Sequence, residues 1–240
     1  MKDIVALIPA RSGSKGIPNK NIKLICGLPL IAFSIAVAKK SKLIDRVIVS
    51  TDSQEYADIA IKYGAEVPFI RPASISGDSS TDIQFIDHAI SWFEDNESFV
   101  PKFIAHLRPT TPIRSYKVVD DALRGFINSK FTALRSCHKM SESSYKTFEI
   151  EDSKLKCLCN GSFDIEIANH SRQSYPETYN ANGYIDVIRS DMVKNHGLIH
   201  GNYVQAFITE PAYELDEISD VELLEYLMKK RPDFIKSLFG

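Results

Sequence analysis

Seven short β-rich runs, most of them separated by helical patterns, constrain this 240-residue chain more than any other feature. The runs are Val5–Ile8, Arg46–Ser50, Glu66–Phe69, Phe103–Leu107, Thr132–Cys137, Tyr184–Ile188 and Tyr203–Phe207. Between them, Leu30–Lys40 follows Pro29, a residue suited to a first helical turn. Gln54–Tyr63 stops before Gly64, a typical helix terminator. In the next pattern Ile83, Ile86, Ile90 and Phe93 share one helical face, and Tyr116–Ile127 repeats this with Val119, Leu123 and Phe126. Strand–helix alternation predicts an α/β fold with a mostly parallel sheet covered by helices on both sides. Ligands of such sheets bind beyond the carboxyl ends of the strands, so the loops after the strands are where chemistry is expected.

The loop after the first strand is the most distinctive. The apolar run Ile4–Ile8 ends at Pro9, and a segment rich in Gly, Ser, Lys and Arg follows. Gly13 and Gly16 allow a tight turn and close approach of backbone to a ligand. Arg11, Lys15, Lys20 and Lys23 concentrate four cations there. Free backbone N–H groups beside several cations suit a polyphosphate; the alternative is a solvated basic loop. The segment is neither a Walker A loop, lacking Gly-Lys-Ser/Thr, nor a dinucleotide fingerprint, whose glycine spacing differs. Further polar loops follow the next strands: Ser50-Thr51-Asp52, Arg71-Pro72 with Gly77-Asp78-Ser79-Ser80-Thr81, and Arg108-Pro109-Thr110-Thr111-Pro112-Ile113-Arg114. Each alone reads as helix capping, with Ser53, Thr81 and Asp52 as candidate N-caps. Four at one end of one sheet read as a ligand site.

With 44% hydrophobic and 10% aromatic residues, the core is ample for a single domain over 1–240. A net charge of −2 gives no global attraction to nucleic acid or membrane, so anion binding must be local. No apolar run approaches the ~20 residues of a membrane span, and the N-terminal run is too short for a signal peptide. Cys26, Cys137, Cys157 and Cys159 are scattered, with no pattern completing a zinc site, which suits a reducing cytoplasm. The alternation breaks over about 140–182, where two short strands and the polar run HSRQSYPETYNANG fit an inserted β-rich subdomain, a kind of extension that often packs on a partner subunit.

Five ordered motifs, IPARSGSKGIPNKNI, VIVSTDS, RPASISGDSSTD, LRPTTPIR and SRQSYPETYNANG, resemble the CMP-sialic acid synthetases, or acylneuraminate cytidylyltransferases, over residues 3 to 220. The resemblance implies a Rossmann-like nucleotidyltransferase sheet with a dimerisation arm, hence a homodimer. It also implies joining of CTP to the anomeric hydroxyl of an acidic nine-carbon sugar, release of pyrophosphate, and use of Mg²⁺. By position, Arg11, Ser14, Lys15 and Asn21 would bind triphosphate and cytidine, and Arg71, Ser80 and Thr81 the base. Lys146, Arg172 and Gln173 would face the substrate from the arm, Asn182 would line the sugar site, and Glu214 and Asp216 would be the metal pair. Lys15 and Asp216 would then be the catalytic residues.

Elementary chemistry agrees with these roles. Attack on an α-phosphate requires neutralised charge and alignment more than covalent catalysis. Glu214 and Asp216 alternate on an extended segment and so share a face; the other reading is an acidic approach to the last helix, with Ser219 and Glu222 as a capping box. Two residues depart from the family pattern. Arg108 replaces a common Gln and offers only donors and a fixed charge, and Glu214 replaces a usual Asp. Arg108, with Thr110 beside it, is expected to contact the acidic sugar or a phosphate; otherwise it pairs with Asp82 or Asp87. A related 3-deoxy-2-keto acid sugar, another nucleotide such as GTP, or a regulator without catalysis are the competing readings.

Overall fold

The computed structural model describes residues 3–240. In chain order the elements are β1 (Ile4–Pro9), β2 (Leu24–Ile25), β3 (Leu28–Pro29), α1 (Leu30–Lys40), β4 (Arg46–Ser50), α2 (Gln54–Lys62), α3 (Asp82–Glu97), β5 (Phe103–His106), α4 (Tyr116–Ile127), β6 (Ala133–Lys139), β7 (Phe148–Glu151), β8 (Lys154–Cys157), β9 (Tyr179–Arg189), α5 (Ser190–His196), β10 (Val204–Ile208), α6 (Ser219–Lys229) and α7 (Pro232–Phe239). Six strands form one sheet in the order β10-β6-β9-β5-β1-β4. Strand β9 runs antiparallel to both neighbours, and the other three pairings are parallel. The mostly parallel α/β fold expected from the alternation is therefore the fold observed.

Strand β1 is apolar throughout because both its faces are covered. Ile4, Ala6 and Ile8 point into a core built with α1, α4, α6 and α7, whereas Val5 and Leu7 pack against Phe85, Ile86, Ile90 and Phe93 of α3. Each of the buried Val, Leu, Ile and Phe side chains among these contributes about 1.5–3 kcal/mol of apolar transfer free energy. From β1 the chain crosses to β4 on one side, then returns to β5 on the other. The carboxyl ends of β1 and β5 therefore flank a topological switch point, where ligands of open sheets bind.

Several local expectations shift. Glu66–Phe69 makes only one parallel bridge, Glu66 with Ile48; Pro68, without an N–H, cannot continue a ladder. The run at Tyr184–Ile188 extends back to Tyr179 through an irregularity opposite Arg135 to Cys137. Strand β8 ends at Cys157, leaving Cys159 outside it. No Ser219 capping box forms, because Ser219 already lies inside α6; the Asp220 carboxylate instead accepts from the N–H groups of Asp216 and Glu217, both at 2.8 Å. Ser53 and Thr81 do cap α2 and α3, the latter in a capping box with Gln84.

The α1–β4 connection is tied by Asp120 of α4, a buried carboxylate that accepts from the Ser41 hydroxyl and from Lys42 N at 3.2 Å. Replacing it leaves partly buried donors without their acceptor. Asp120→Ala is expected to lower stability by about 1–3 kcal/mol, seen as a lower urea midpoint at constant m-value. An unchanged midpoint would show that this tie is redundant.

Candidate active site

The loop after β1 is held in place before any ligand arrives. Ala10 N donates to Ser50 O at 2.9 Å, continuing the β1–β4 ladder. Asp52 then accepts from Ser12 N at 2.8 Å and from Ser12 Oγ at 3.0 Å. The buried Asn21 donates its amide to Arg11 O at 3.0 Å. The role of Asp52 is thus to latch two strand-end loops together rather than to cap α2.

These loops enclose a cleft of about 250 Å³ at the switch point. Eight of the residues singled out from the sequence line it: Arg11, Ser14, Asn21, Arg71, Ser80, Thr81, Arg108 and Thr110. Lys20, Asp82 and Phe85 also line it and were not singled out as site residues. Lys20 was visible as one of the loop cations, Asp82 was named only as a possible carboxylate partner of Arg108, a pairing that does form, and Phe85 carried no signal.

Most cations around the cleft hold an internal carboxylate. Arg11 Nη1 and Lys15 Nζ meet Asp78 at 2.8 and 2.7 Å. Those contacts from Lys15 and Arg11 hold the Asp78 carboxyl below its ordinary range. Lys15 itself projects into solvent, with 82% of its side chain exposed, outside the set that lines the cleft. Lys20 Nζ lies 3.3 Å from Asp216 Oδ1. Arg108 meets Asp82 at 2.8 Å and Asp186 at 2.9 Å.

Arg71 differs. It is buried, donates from Nε to Ser50 Oγ at 3.0 Å, and lies 4.8 Å from the centroid of the Phe85 ring. Among the described residues no carboxylate lies within ion-pair distance of it, and burial pushes its pKa down to about 10. A guanidinium so placed retains capacity for a polar ligand.

Glu214 and Asp216 flank Leu215, which is fully buried and donates its N–H to Thr110 O at 2.8 Å. This bond fixes the acidic pair against the loop after β5. Glu214 faces the backbone of Gly183, where an added Cβ would stand 2.9 Å from Glu214 Oε1 and 3.0 Å from Thr111 Oγ1. Gly183 has φ +61°, so both its conformation and its surroundings require glycine. Burial, reinforced by the charge of Asp216, raises the Glu214 pKa. Among the described residues no group of three or more His, Cys, Asp or Glu is arranged to hold a metal unaided.

The arm residues lie elsewhere. Arg172 and Gln173 line a second cavity of about 380 Å³ with Lys139, Tyr175, Glu177 and others, none of them shared with the cleft. Arg172 Nη2 donates to Met140 O at 2.9 Å. Lys146 ends a short 3₁₀ turn before β7. Asn182 is buried; it donates to Thr209 Oγ1 at 2.7 Å and accepts from Tyr184 N at 3.2 Å. Within one chain, Asn182 therefore pins strand β9 rather than opening onto the cleft.

Comparison with known proteins identifies the family. Residues 5–229 match the family model described as Cytidylyltransferase. An N-acylneuraminate cytidylyltransferase from Escherichia coli is 32% identical over 95% of this chain, which spans about half (52%) of that longer protein. The post-translational flagellin modification protein B of Campylobacter coli is 32% identical, covering 96% of this chain and 97% of the relative. A CMP-N,N'-diacetyllegionaminic acid synthase from Campylobacter jejuni is 30% identical, covering 95% and 96%. Among solved structures, a CMP:2-keto-3-deoxy-manno-octonic acid synthetase complexed with CTP shares the fold at TM-score 0.70 and 16% identity, covering 95% of this chain and 99% of that one. The chain belongs to the cytidylyltransferase family, as an enzyme of the acylneuraminate cytidylyltransferase type.

Proposed function

We propose that this chain transfers the cytidylyl group of CTP to the anomeric hydroxyl of an acidic nine-carbon sugar, releasing pyrophosphate. The observation that carries the reading is the cationic cleft at the switch point, lined by Arg11, Lys20, Arg71 and Arg108. In the reaction the sugar oxygen forms a bond to the α-phosphorus, its proton passes to water, and the bond from the α-phosphorus to the bridging oxygen breaks, that oxygen leaving with the pyrophosphate. Arg11, Lys15 and Lys20 neutralise the triphosphate and the departing pyrophosphate, exchanging their internal carboxylates for phosphate oxygens. Ser14 and Asn21 hold the loop and its N–H groups in register with the phosphates. Arg71, with Ser80 and Thr81, holds the base against the Phe85 wall.

The acidic pair fits a magnesium ion shared with the triphosphate. Two carboxylates, with the remaining positions taken by phosphate oxygens and water, are the donor set that this cation prefers. Glu214 and Asp216 would hold it, and its bound charge would supply further stabilisation of the phosphates. The four cysteines are free, which suits a cytoplasmic setting. No helix among the described residues is long and apolar enough to cross a membrane.

The sugar's identity lies within the nonulosonic acids. Incubating the chain with each nucleoside triphosphate, Mg²⁺ and a panel of sialic, legionaminic and pseudaminic acids, while following pyrophosphate, tests the reading. Release only with CTP and one of these acids is the expected result; release with GTP alone would overturn the assignment of the base.

We also place the arm, 140–182, against a second copy of the chain. Ile150, Leu155, Leu158 and Phe163 are exposed there, an apolar surface unusual for a free monomer. Lys146, Arg172 and Gln173 would then complete the sugar site of the partner, with Asn182 acting through the strand it pins. Mixing inactive Lys15→Ala and inactive Arg172→Ala chains should restore part of the activity. A fully active monomer on size-exclusion chromatography would remove this reading.

A further inference from the structure

Arg108 stands where the two halves of the sheet meet. Strands β4, β1 and β5 carry the loops assigned to the nucleotide, and β9, β6 and β10 form the other half. Arg108 follows β5 and reaches across to β9, so it is the cation of the cleft nearest the second substrate's half. Its main chain is fixed, since its carbonyl accepts from Arg114 Nη2 at 2.9 Å and Ser34 Oγ at 3.3 Å.

Its two carboxylate partners differ in kind. Asp186, which takes Nη1, has a side chain only 2% exposed. It lies in register between His106 of β5 and Arg135 of β6. His106 Nδ1, His200 Nε2 and Arg135 Nε stand 3.9–4.0 Å from its oxygens, and its Oδ1 has no hydrogen-bond partner among the described residues. Among the described residues, Arg108 is the one cation within hydrogen-bond distance of Asp186; the others stand about an ångström farther away. Asp82, which takes Nη2, is 42% exposed on the cleft wall, at the first residue of α3. One edge of the guanidinium is therefore clamped from within, and the other is covered by a carboxylate that solvent reaches.

We propose that the Nη2 edge of Arg108 is the subsite for the sugar's own carboxylate, that Asp82 fills this position until the sugar displaces it, and that Asp186 is the positioning residue that keeps the guanidinium aimed. The inference rests on the cytidylyltransferase reading and adds the group that selects an acidic sugar. Displacement exchanges one charge-assisted hydrogen bond for another, so Asp82 competes with substrate rather than blocking it.

The test compares a sugar acid with its neutral C1 carboxamide. N-acetylneuraminic acid and its amide are titrated by calorimetry into the full chain in the presence of CMP, beside steady-state KM values for sugar and CTP. Asp82→Asn should tighten the acid several-fold and leave the amide where it was. Arg108→Gln should lower the preference for acid over amide on the order of tenfold, the loss of one charge-assisted bond. Asp186→Asn should reduce the same preference through sugar KM rather than CTP KM. Should that buried variant fail to fold, the first two still decide. Unchanged acid affinity in Asp82→Asn, or a preserved preference in Arg108→Gln, would overturn the subsite; a shift confined to CTP KM would assign Arg108 to phosphate instead. A wild-type chain that releases no pyrophosphate with any acid defeats the cytidylyltransferase reading, while the calorimetric comparison, being independent of turnover, still decides the role of Arg108.

Discussion

Gly183→Ala is expected to impair stability and turnover together. At φ +61° an alanine carries the left-handed penalty of about 1–2 kcal/mol. Its Cβ would also stand 2.9 Å from Glu214 Oε1 and 3.0 Å from Thr111 Oγ1, so one wall of the site must move. Thr111 is fully buried on a short side chain, whereas Glu214 Oε1 is the far end of a longer one, so the Glu214 side chain is the one to yield. Urea titration should show the loss of stability, and pyrophosphate release should fall much further than the fraction folded. Gly197→Ala is the control: its φ is +64°, but nothing lies within 4 Å of the added Cβ. That variant should show the backbone penalty with normal turnover. If both variants lose stability equally and neither loses activity, the contact of Gly183 with Glu214 has no part in catalysis.

The largest effect on rate is expected from Asp216→Asn. Losing one of the two carboxylates proposed to hold Mg²⁺ should raise the barrier by several kcal/mol, a fall of at least a hundredfold in kcat. Stability should hardly change, because Asp216 is mainly exposed and its ion pair with Lys20 is a surface pair worth ~0–1 kcal/mol. Chelation of divalent ions from the wild type should mimic the substitution, and added Mg²⁺ should rescue the wild type but not Asp216→Asn at the same concentration. Near-normal turnover of Asp216→Asn, with an unchanged Mg²⁺ dependence, would exclude Asp216 as a ligand.

The parallel half of the fold was legible because its strands are short, buried on both faces and separated by capped helices. Leu30–Lys40 and Tyr116–Ile127 coincide with α1 and α4, since Pro29 and the apolar spacing mark them unambiguously. Features set by distant partners were hidden. Strand β9 is five residues longer at its start than its β-rich run, because Asn180 and Ala181 pair with His138 and Cys137 around the irregularity at Gly183. The cleft residues of the loops could be read from charge and glycine content. Asp186 could not: in the sequence it is one polar residue in an apolar run, and only the register of three strands shows that it grips Arg108. Asp82 was legible as a possible partner of Arg108, but its place on the cleft wall depends on where β5 ends and α3 begins.

The 140–178 segment leaves the carboxyl end of β6 and re-enters at the amino end of β9, and the ladder closes beneath it, with Lys139 opposite Tyr179 and Met140 N bonded to Thr178 O at 2.9 Å. Its two ends are already neighbours in the sheet, so lengthening or shortening the excursion changes loop-closure entropy only slowly. The segment is therefore an attachment on the rim of the sheet, one whose length and sequence can change without disturbing the β6–β9 ladder beneath it. A nick within it would leave β6 and β9 paired, so limited proteolysis there should spare the fold and, on the proposed role of the arm, cost the molecule its choice of sugar first.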